Sequence, residues 1–83
     1  MWTEEKNRLQ ATFHFIDFSQ AFAFMTEVAL VAEKQNHHPS WSNVWNMVEI
    51  QLTTHDEGNI VTNKDRMMAA DIDAIFERYQ PLK

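Results

Sequence analysis

Residues 41–54 read WSNVWNMVEIQLTT, and the alternation of their apolar side chains changes halfway along. The two tryptophans occupy odd positions, whereas the valine, isoleucine and leucine that follow Met47 occupy even positions. A strand places alternate side chains on opposite faces, so its apolar face cannot change parity without a turn or a bulge. The stretch therefore predicts a β-hairpin with strands over 41–45 and 48–54 and a turn at Asn46-Met47.

The segment before the hairpin predicts a strand followed by a helix. Residues 11–15 (ATFHF) alternate apolar and polar side chains, as a half-buried strand does. Ser19 then suits a helix N-cap, and residues 20–35 carry apolar side chains at helical spacing. Pro39 disfavours helical geometry in the residue before it, so we expect a left-handed C-cap near Asn36. The apolar positions form two adjacent stripes, Phe22, Met25, Ala29 and Ala32 beside Phe24, Val28 and Val31.

The segment after the hairpin predicts a loop and a second helix. Residues 55–61 (HDEGNIV) hold the only glycine of the chain and read as the loop. Thr62, followed three residues later by Asp65, resembles a capping box that opens a helix. Pro81 lies just past the expected end of this helix. The apolar stripe of the helix consists of Met68, Ile72, Ile75, Phe76 and Tyr79.

These elements predict a single domain over residues 1–83 of class α+β. The order is strand, helix, hairpin and helix, with room for a short extra strand near Trp2. Two helices with apolar stripes and an antiparallel sheet with one apolar face bury each other in two layers. A domain of this size buries only about 60–65% of the surface that its unfolded chain exposes. The small core therefore favours self-association.

Composition excludes several classes of partner. The net charge is −5, and the seven basic residues are scattered, whereas binding to a nucleic-acid backbone needs them clustered. No apolar run approaches the roughly 20 residues of a membrane span, and the polar start of the chain lacks a signal-peptide core. There is no cysteine for a disulfide or a thiolate metal site. We expect a soluble cytoplasmic protein that binds neither nucleic acid nor membrane directly.

Three of the four histidines are candidates for chemistry. His37 and His38 follow the first helix, and His55 ends the second hairpin strand, while Glu33 precedes His37 by one helical turn. These side chains could converge on one cleft, where imidazoles suit proton transfer near neutral pH. The competing interpretation is that His37 only complements the dipole at a helix C-terminus. His14 alternates with phenylalanines on a strand and is given no role.

A zinc site is a second competing interpretation, because three histidines form the metal shell of some enzymes. Adjacent histidines in extended backbone point to opposite sides, which makes joint ligation of one ion awkward. The chain has no HExxH pattern, no cysteine nucleophile and no serine at a strand-turn-helix elbow. Acid–base catalysis by imidazole is therefore preferred to a zinc site, and the helix-dipole interpretation of His37 stays open at this point.

The motif EKxxHHPxWxNVWNxVxIxLTTHD over residues 33–56 resembles the signature of the pterin-4a-carbinolamine dehydratase family. Further similarity lies in the opening MWTE, in residues 13–34, and in Lys64-Asp65 with the positions that follow. The resemblance implies a β-β-α-β-β-α order, with a four-stranded antiparallel sheet and two helices packed on one face. It also implies a homodimer or homotetramer in which sheets pair between subunits.

The activity implied by the resemblance is dehydration of 4a-hydroxytetrahydropterin to quinonoid dihydropterin, within tetrahydrobiopterin recycling. The pterin is the substrate, and no metal or cofactor is implied. The functional link is to an aromatic amino acid hydroxylase, which generates the hydroxylated pterin. The alternative is a non-catalytic or moonlighting interaction protein of the same fold, since one animal member is a dimerisation cofactor of a homeodomain transcription factor.

The resemblance also assigns site residues by position. The catalytic residues are His37, His38 and His55, with His38 expected at the 4a-hydroxyl and the other two sharing proton transfer. Two departures from the family pattern are Asn36, where many members have aspartate, and one additional residue in the loop before Asp65. The substrate-binding residues implied are Glu33, Trp2, Asn36, Pro39, Lys64 and Asp65.

Overall fold

The computed structural model of the chain describes residues 1–79. It has the predicted β-β-α-β-β-α order and confirms the α+β class. No helix in this part of the chain is both long enough and apolar enough to cross a lipid bilayer. Pro81, predicted to follow the last helix, lies outside the described residues. The elements are β1 (Thr3–Glu5), β2 (Arg8–His14), α1 (Phe18–Gln35), β3 (Ser40–Val44), β4 (Met47–Leu52), a 3₁₀ turn (His55–Glu57) and α2 (Asn63–Glu77).

The four strands form one antiparallel sheet in the order β1-β2-β4-β3. The short strand expected near Trp2 is β1, which joins β2 through a two-residue loop, Lys6-Asn7. Both loop residues have positive φ, at 51° and 65°, as a type I′ turn requires. The strand predicted over 11–15 starts earlier because alternation already begins at Leu9, which is buried opposite Leu52.

The predicted hairpin is present, but its turn lies one residue earlier than predicted. Val44 pairs with Met47, so the loop is Trp45-Asn46 and not Asn46-Met47. Trp45 has φ of 49°, a conformation that a bulky residue seldom adopts. The Asn43 side-chain amide donates to the carbonyls of Trp45 (3.1 Å) and Met47 (2.8 Å) and thereby holds the turn. Parity assigned Trp45 to the strand because no turn-forming residue marks its position.

Helix α1 begins two residues earlier than predicted, because Asp17 and not Ser19 is its N-cap. The Asp17 carboxylate accepts a hydrogen bond of 2.8 Å from the Gln20 N–H. Of the two predicted apolar stripes, Phe24 and Val28 of the second are fully buried, whereas the first is divided, with Ala32 buried and Phe22 58% exposed. The helix ends as predicted at Asn36, whose φ of 52° and ψ of 43° are left-handed.

Helix α2 begins with the predicted capping box. The Thr62 hydroxyl accepts from the Lys64 N–H (3.2 Å), and the Asp65 carboxylate accepts from the Thr62 N–H (2.9 Å). Its predicted apolar positions Met68 and Ile72 are fully buried. The core between sheet and helices is rich in aromatic pairs with centroid separations of 4.9–5.4 Å, formed by Phe13, Phe15, Phe24 and Phe76. Asp65 in the first turn of α2 also contacts His37, just after α1, and Thr54, just after β4. These contacts place the start of α2 beside the ends of both elements.

Candidate active site

A cleft of about 580 Å³ lies beside the end of α1 and the end of β4, and three of the four histidines line it. His37 and His38 reach it directly after α1, and His55 reaches it directly after β4. His14 does not line this cleft and is exposed on β2. The other predicted site residues that line it are Asn36, Pro39 and Lys64.

The left-handed turn at Asn36 separates the two adjacent histidines. The His37 N–H donates to the Ala32 carbonyl (3.0 Å) across five residues, the closing bond of a Schellman turn. After this turn His37 is buried, with 8% of its surface exposed, whereas the His38 side chain is 58% exposed. One imidazole therefore faces the protein interior at the base of the cleft, while the other faces solvent.

The inner imidazole is held by a buried carboxylate. Nε2 of His37 lies 2.6 Å from Oδ1 of Asp65, which is fully buried and is not itself a wall of the cleft. The other carboxylate oxygen accepts from the Thr54 hydroxyl (2.7 Å) and from the Thr62 N–H (2.9 Å). Thr54 is itself buried, and its Oγ1 lies 2.6 Å from that of Thr62. Since Nε2 is engaged, Nδ1 is the ring nitrogen of His37 that remains for another partner.

The outer imidazole has an exposed carboxylate partner. Nε2 of His38 lies 3.1 Å from Oε1 of Glu33, whose side chain is 84% exposed. Sequence spacing placed Glu33 beside His37, but the turn at Asn36 directs His37 inward and leaves Glu33 beside His38. Glu33 does not line the cleft. An ion pair this exposed contributes little to stability, typically about 0–1 kcal/mol.

His55 reaches the cleft from a different element than the other two histidines. It begins the 3₁₀ turn after β4 and is exposed, and Asp56 beside it also lines the cleft. The base of this loop is closed because the Thr54 N–H donates to the Ile60 carbonyl (2.9 Å). Gly58, with φ of 86°, provides the left-handed residue that ends the turn.

Trp2 lies away from the cleft. Its indole N–H donates to Oδ1 of Asp73 on α2 (2.8 Å), and its ring packs edge-on against Phe13 with centroids 5.8 Å apart. It is not among the cleft-lining residues. The structure therefore shows Trp2 joining the start of the chain to α2 and the core.

Sequence reasoning did not identify seven residues that also line the cleft. Thr54 could have been suspected from its place in the TTHD segment, but its buried bond to Asp65 depends on tertiary structure. Arg8 had no local signal, because its side chain meets the cleft through the pairing of β2 with β4. The seven residues are Arg8, Ser40, Gln51, Thr53, Thr54, Asp56 and Asn59.

The arrangement offers proton donors and acceptors at separate positions around one hollow. One imidazole is held by a buried carboxylate, and the other two, of His38 and His55, line the cleft and are exposed. Over residues 1–79, no three His, Asp or Glu side chains form a group that could hold a metal ion. The cleft volume lies within the range of about 300–1,000 Å³ that is typical of small-molecule sites.

Comparison with known proteins identifies the family of this chain. The family model described as Pterin 4 alpha carbinolamine dehydratase matches residues 1–75. A protein of Prochlorococcus marinus (strain MIT 9515) with the provisional name pterin-4-alpha-carbinolamine dehydratase is 51% identical over 77 residues, covering 93% of this chain and 79% of its own. A protein of Rhizorhabdus wittichii with the same provisional name is 53% identical over 76 residues, covering 92% of this chain and 77% of its own.

Two solved structures share the fold. A transcriptional coactivator/pterin dehydratase from Brucella melitensis has a TM-score of 0.86 at 44% identity, covering 90% of this chain and 81% of its own. A pterin dehydratase-like protein, identified as a RuBisCO assembly factor in the alpha-carboxysome, has a TM-score of 0.73 at 25% identity, covering 90% and 86%. By its family match and its relatives, this chain belongs to the pterin-4-alpha-carbinolamine dehydratase family.

Proposed function

We propose that the protein dehydrates 4a-hydroxytetrahydropterin to quinonoid dihydropterin by histidine acid–base catalysis. The observation that carries this proposal is the placement of three imidazoles around one cleft, with the innermost, His37, held by the buried Asp65. Family membership supplies the substrate class. The reaction needs one proton donor and one proton acceptor, and imidazoles that line one cleft support this proposal because they can serve as either.

The proposed step balances without an oxidant or reductant. An acid protonates the 4a-hydroxyl, the C4a–O bond breaks and water leaves. A base removes the proton from N5, and the electron pair of that N–H bond becomes the C4a=N5 double bond. Each acid or base typically contributes on the order of 10²–10⁴ in rate.

We assign the exposed His38 to the 4a-hydroxyl, and His37 and His55 to proton transfer. Nδ1 of His37 is the atom that faces the substrate in this assignment, because Nε2 is bound to Asp65. Asp65 is a positioning residue, since it is fully buried behind His37. Glu33 acts through its contact with His38.

The remaining predicted substrate contacts follow from position. Asn36, Pro39 and Lys64 line the cleft and are assigned to substrate binding. Trp2 receives no contact with substrate in this proposal, because its indole is bound to Asp73. The proposal includes no cofactor and no metal.

Kinetics of four alanine variants test the assignment. Replacing His37 or His55 should lower kcat by about 10²–10⁴, because an acid or base is lost. Replacing His38 should also raise KM, since it removes a contact with the bound pterin. His14→Ala is the matched control and should leave both constants unchanged, because His14 is exposed on β2 outside the cleft. Full activity in the three cleft variants would contradict the assignment.

Metal independence is tested separately. Activity should survive prolonged treatment with a chelator, because the proposed acid and base are imidazoles. Loss of activity on chelation that added zinc restores would replace this mechanism with a metal-dependent one.

The proposed cellular setting is the cytoplasm, beside an aromatic amino acid hydroxylase that generates the hydroxylated pterin.

A non-catalytic interaction protein is the second candidate. Two observations favour it: Val44 and Trp45 are 66% and 65% exposed at one end of the sheet, and the Brucella melitensis neighbour is described as a coactivator. Titration with dihydrobiopterin separates the two candidates. Quenching of tryptophan fluorescence by dihydrobiopterin, together with turnover of 4a-hydroxytetrahydropterin, supports the dehydratase. The absence of both supports the interaction protein.

A further inference from the structure

The cleft collects positive charge in a protein that is acidic overall. The chain has a net charge of −5, yet the cleft walls contain Arg8 and Lys64 against one carboxylate, Asp56. The nearby carboxylates of Asp65 and Glu33 are already engaged with imidazoles. The electrostatic character of the cleft therefore differs from that of the molecule as a whole and favours a ligand with negative charge.

Arg8 differs from the other two arginines of the chain in its partner. Arg66 pairs with Glu4 (2.9 Å) and Arg78 pairs with Glu27. Arg8 instead donates from Nη1 to the neutral amide oxygen Oε1 of Gln51 (2.6 Å). Within residues 1–79, neither Arg8 nor Lys64 forms an ion pair with a carboxylate. The Arg8 guanidinium is thus oriented by a neutral amide, and its cross-strand partner Glu5 forms no ion pair with it within residues 1–79.

Arg8 also stands where the cleft continues into a second hollow. Arg8 and Gln51 line both the cleft and an adjoining hollow of about 310 Å³. Lys6 and Glu5 line that hollow as well, and their opposite charges offset each other. A molecule with its reacting atoms at the histidines can therefore extend past Arg8 into further space.

We propose that the pterin substrate carries an anionic group, a phosphate or a carboxylate, on its ring substituent, and that Arg8 binds this group. The inference rests on the proposed dehydratase function and deepens it by naming the substrate class. A guanidinium has five N–H donors in a planar fork and binds either anion through two parallel hydrogen bonds. One donor of Arg8 is used by Gln51. Lys64 adds attraction for the same anion through its charge at the cleft wall.

Calorimetric binding of three stable probes tests the inference. The neutral probe is 7,8-dihydroneopterin. Its monophosphate carries a phosphate, and a glutamyl conjugate of a dihydropterin carries carboxylates, so the two anionic probes distinguish binding of phosphate from binding of carboxylate. The wild-type chain should bind at least one anionic probe about tenfold more tightly than the neutral probe. Arg8→Gln should lower that preference ratio by about tenfold. Raising the salt concentration should lower it as well.

Two further variants make the result specific. Arg8→Lys retains the charge without the planar fork and should keep only part of the preference. Lys34→Gln removes an exposed charge at the end of α1 outside the cleft and should leave the preference as in the wild type. Equal binding of neutral and anionic probes by the wild type, or an unchanged preference in Arg8→Gln, overturns the inference.

Turnover of the neutral 4a-hydroxytetrahydropterin by the wild-type chain distinguishes this failure from failure of the proposed function. If the neutral substrate is dehydrated and Arg8 does not affect the preference, only the assignment of Arg8 falls. If neither the neutral nor the anionic substrate is dehydrated, the proposed function falls and the inference falls with it.

Discussion

Nε2 of His37 lies 2.6 Å from Oδ1 of Asp65, although the two residues are 28 positions apart in sequence and the entire β3–β4 hairpin lies between them. The imidazole is 8% exposed and the aspartate is fully buried. A buried charge-assisted hydrogen bond of this kind is stronger than a neutral one and fixes the orientation of the ring. The first turn of α2 therefore determines which nitrogen of His37 faces the cleft.

Replacing Asp65 with asparagine, which has nearly the same shape but no charge, should reduce activity. Asp65→Asn is isosteric but loses the charge that orients and stabilises the imidazole, so kcat should fall by about 10²–10⁴ with a smaller change in KM. Asp71→Asn on the same helix is the matched control, because it weakens only an exposed bond to Gln35. A kcat within twofold of the wild type in Asp65→Asn would show that the carboxylate has no part in the reaction.

Thr54 allows the positioning effect to be separated from loss of structure. Thr54→Val keeps the volume but removes the donor to Asp65, and it leaves a buried carboxylate oxygen with one partner fewer. We expect the free energy of unfolding to fall by about 1–3 kcal/mol. Thr54→Val should also lower kcat, because Asp65 then holds His37 less firmly. Thr54→Ser keeps the hydroxyl and should have the kcat and pH profile of the wild type. If the serine variant matched the valine variant in kcat, the hydroxyl would not be the group that matters.

The left-handed residue between α1 and the histidines should be sensitive to its side chain. Asn36→Ala places a Cβ without a compensating polar group at φ of 52° and should cost about 1 kcal/mol of unfolding free energy. Asn36→Gly should change it by less than about 0.5 kcal/mol, because glycine adopts this conformation readily. Urea denaturation measures both values. Equal stability of the two variants would mean that the backbone at this position relaxes.

The contact of Tyr79 with Glu27 should make stability depend on pH in acid. The hydrogen bond from the Tyr79 hydroxyl is the main reason why the pKa of Glu27 lies below its usual 4.5. A carboxyl with a lowered pKa in the folded state stabilises the fold fully above its unfolded pKa, and this contribution is lost as pH falls through the folded pKa. Tyr79→Phe should therefore be less stable than the wild type at pH 7, with the difference smaller at pH 3.

In alkali the stability contributed by the contact of Tyr79 with Glu27 should fall as pH rises, the opposite of its dependence in acid. Burial is the largest cause that raises the pKa of Tyr79 above its usual 10.0, followed by its bond to Glu27. The contribution of the neutral phenol is complete below pH 10 and is lost as pH rises through the folded pKa. Chemical denaturation of the wild type and Tyr79→Phe across this range measures the difference. A difference that is constant at all pH values would contradict the coupling.

Strand β3 should pair with another copy of the chain. It lies at one edge of the sheet, and Val44 on it is 66% exposed. An exposed edge strand presents unpaired backbone groups, and a small core gains from further burial. We expect at least a dimer at micromolar concentration, and Val44→Lys should weaken it. Light scattering that detects only a 9.8 kDa species in the wild type would contradict this expectation.

Local signals predicted the parts of the fold that depend on a few neighbouring residues. The capping box of Thr62 and Asp65 and the left-handed cap at Asn36 are examples, because each is formed within one turn of helix. The hairpin was predicted from parity, but its turn lies one residue earlier because Trp45, which is not a typical turn residue, adopts a positive φ beside Asn46. Ser19 was predicted as the N-cap of α1, but Asp17 is the N-cap, and spacing does not separate two side chains that can both cap a helix.

Contacts between distant segments were not accessible from spacing. The role of Asp65 beneath His37 needs the hairpin to fold between them, and the contact of Arg8 with Gln51 needs the register of β2 on β4. Spacing also placed Glu33 beside the wrong histidine, because a single left-handed residue changes the direction of the chain. These features are set by tertiary structure, to which helical or strand periodicity is insensitive.

The closed base of the loop over residues 55–61 has an evolutionary consequence. The Thr54 and Thr62 hydroxyls lie 2.6 Å apart at its two ends, and the Thr54 N–H is bound to the Ile60 carbonyl. A loop tied at its base can gain or lose residues without moving the segments that it joins. In this chain the loop joins β4 to α2 with Asp65 held beneath His37. A change in the length of this loop during evolution would therefore alter the cleft wall around His55 and leave the contact of His37 with Asp65 in place.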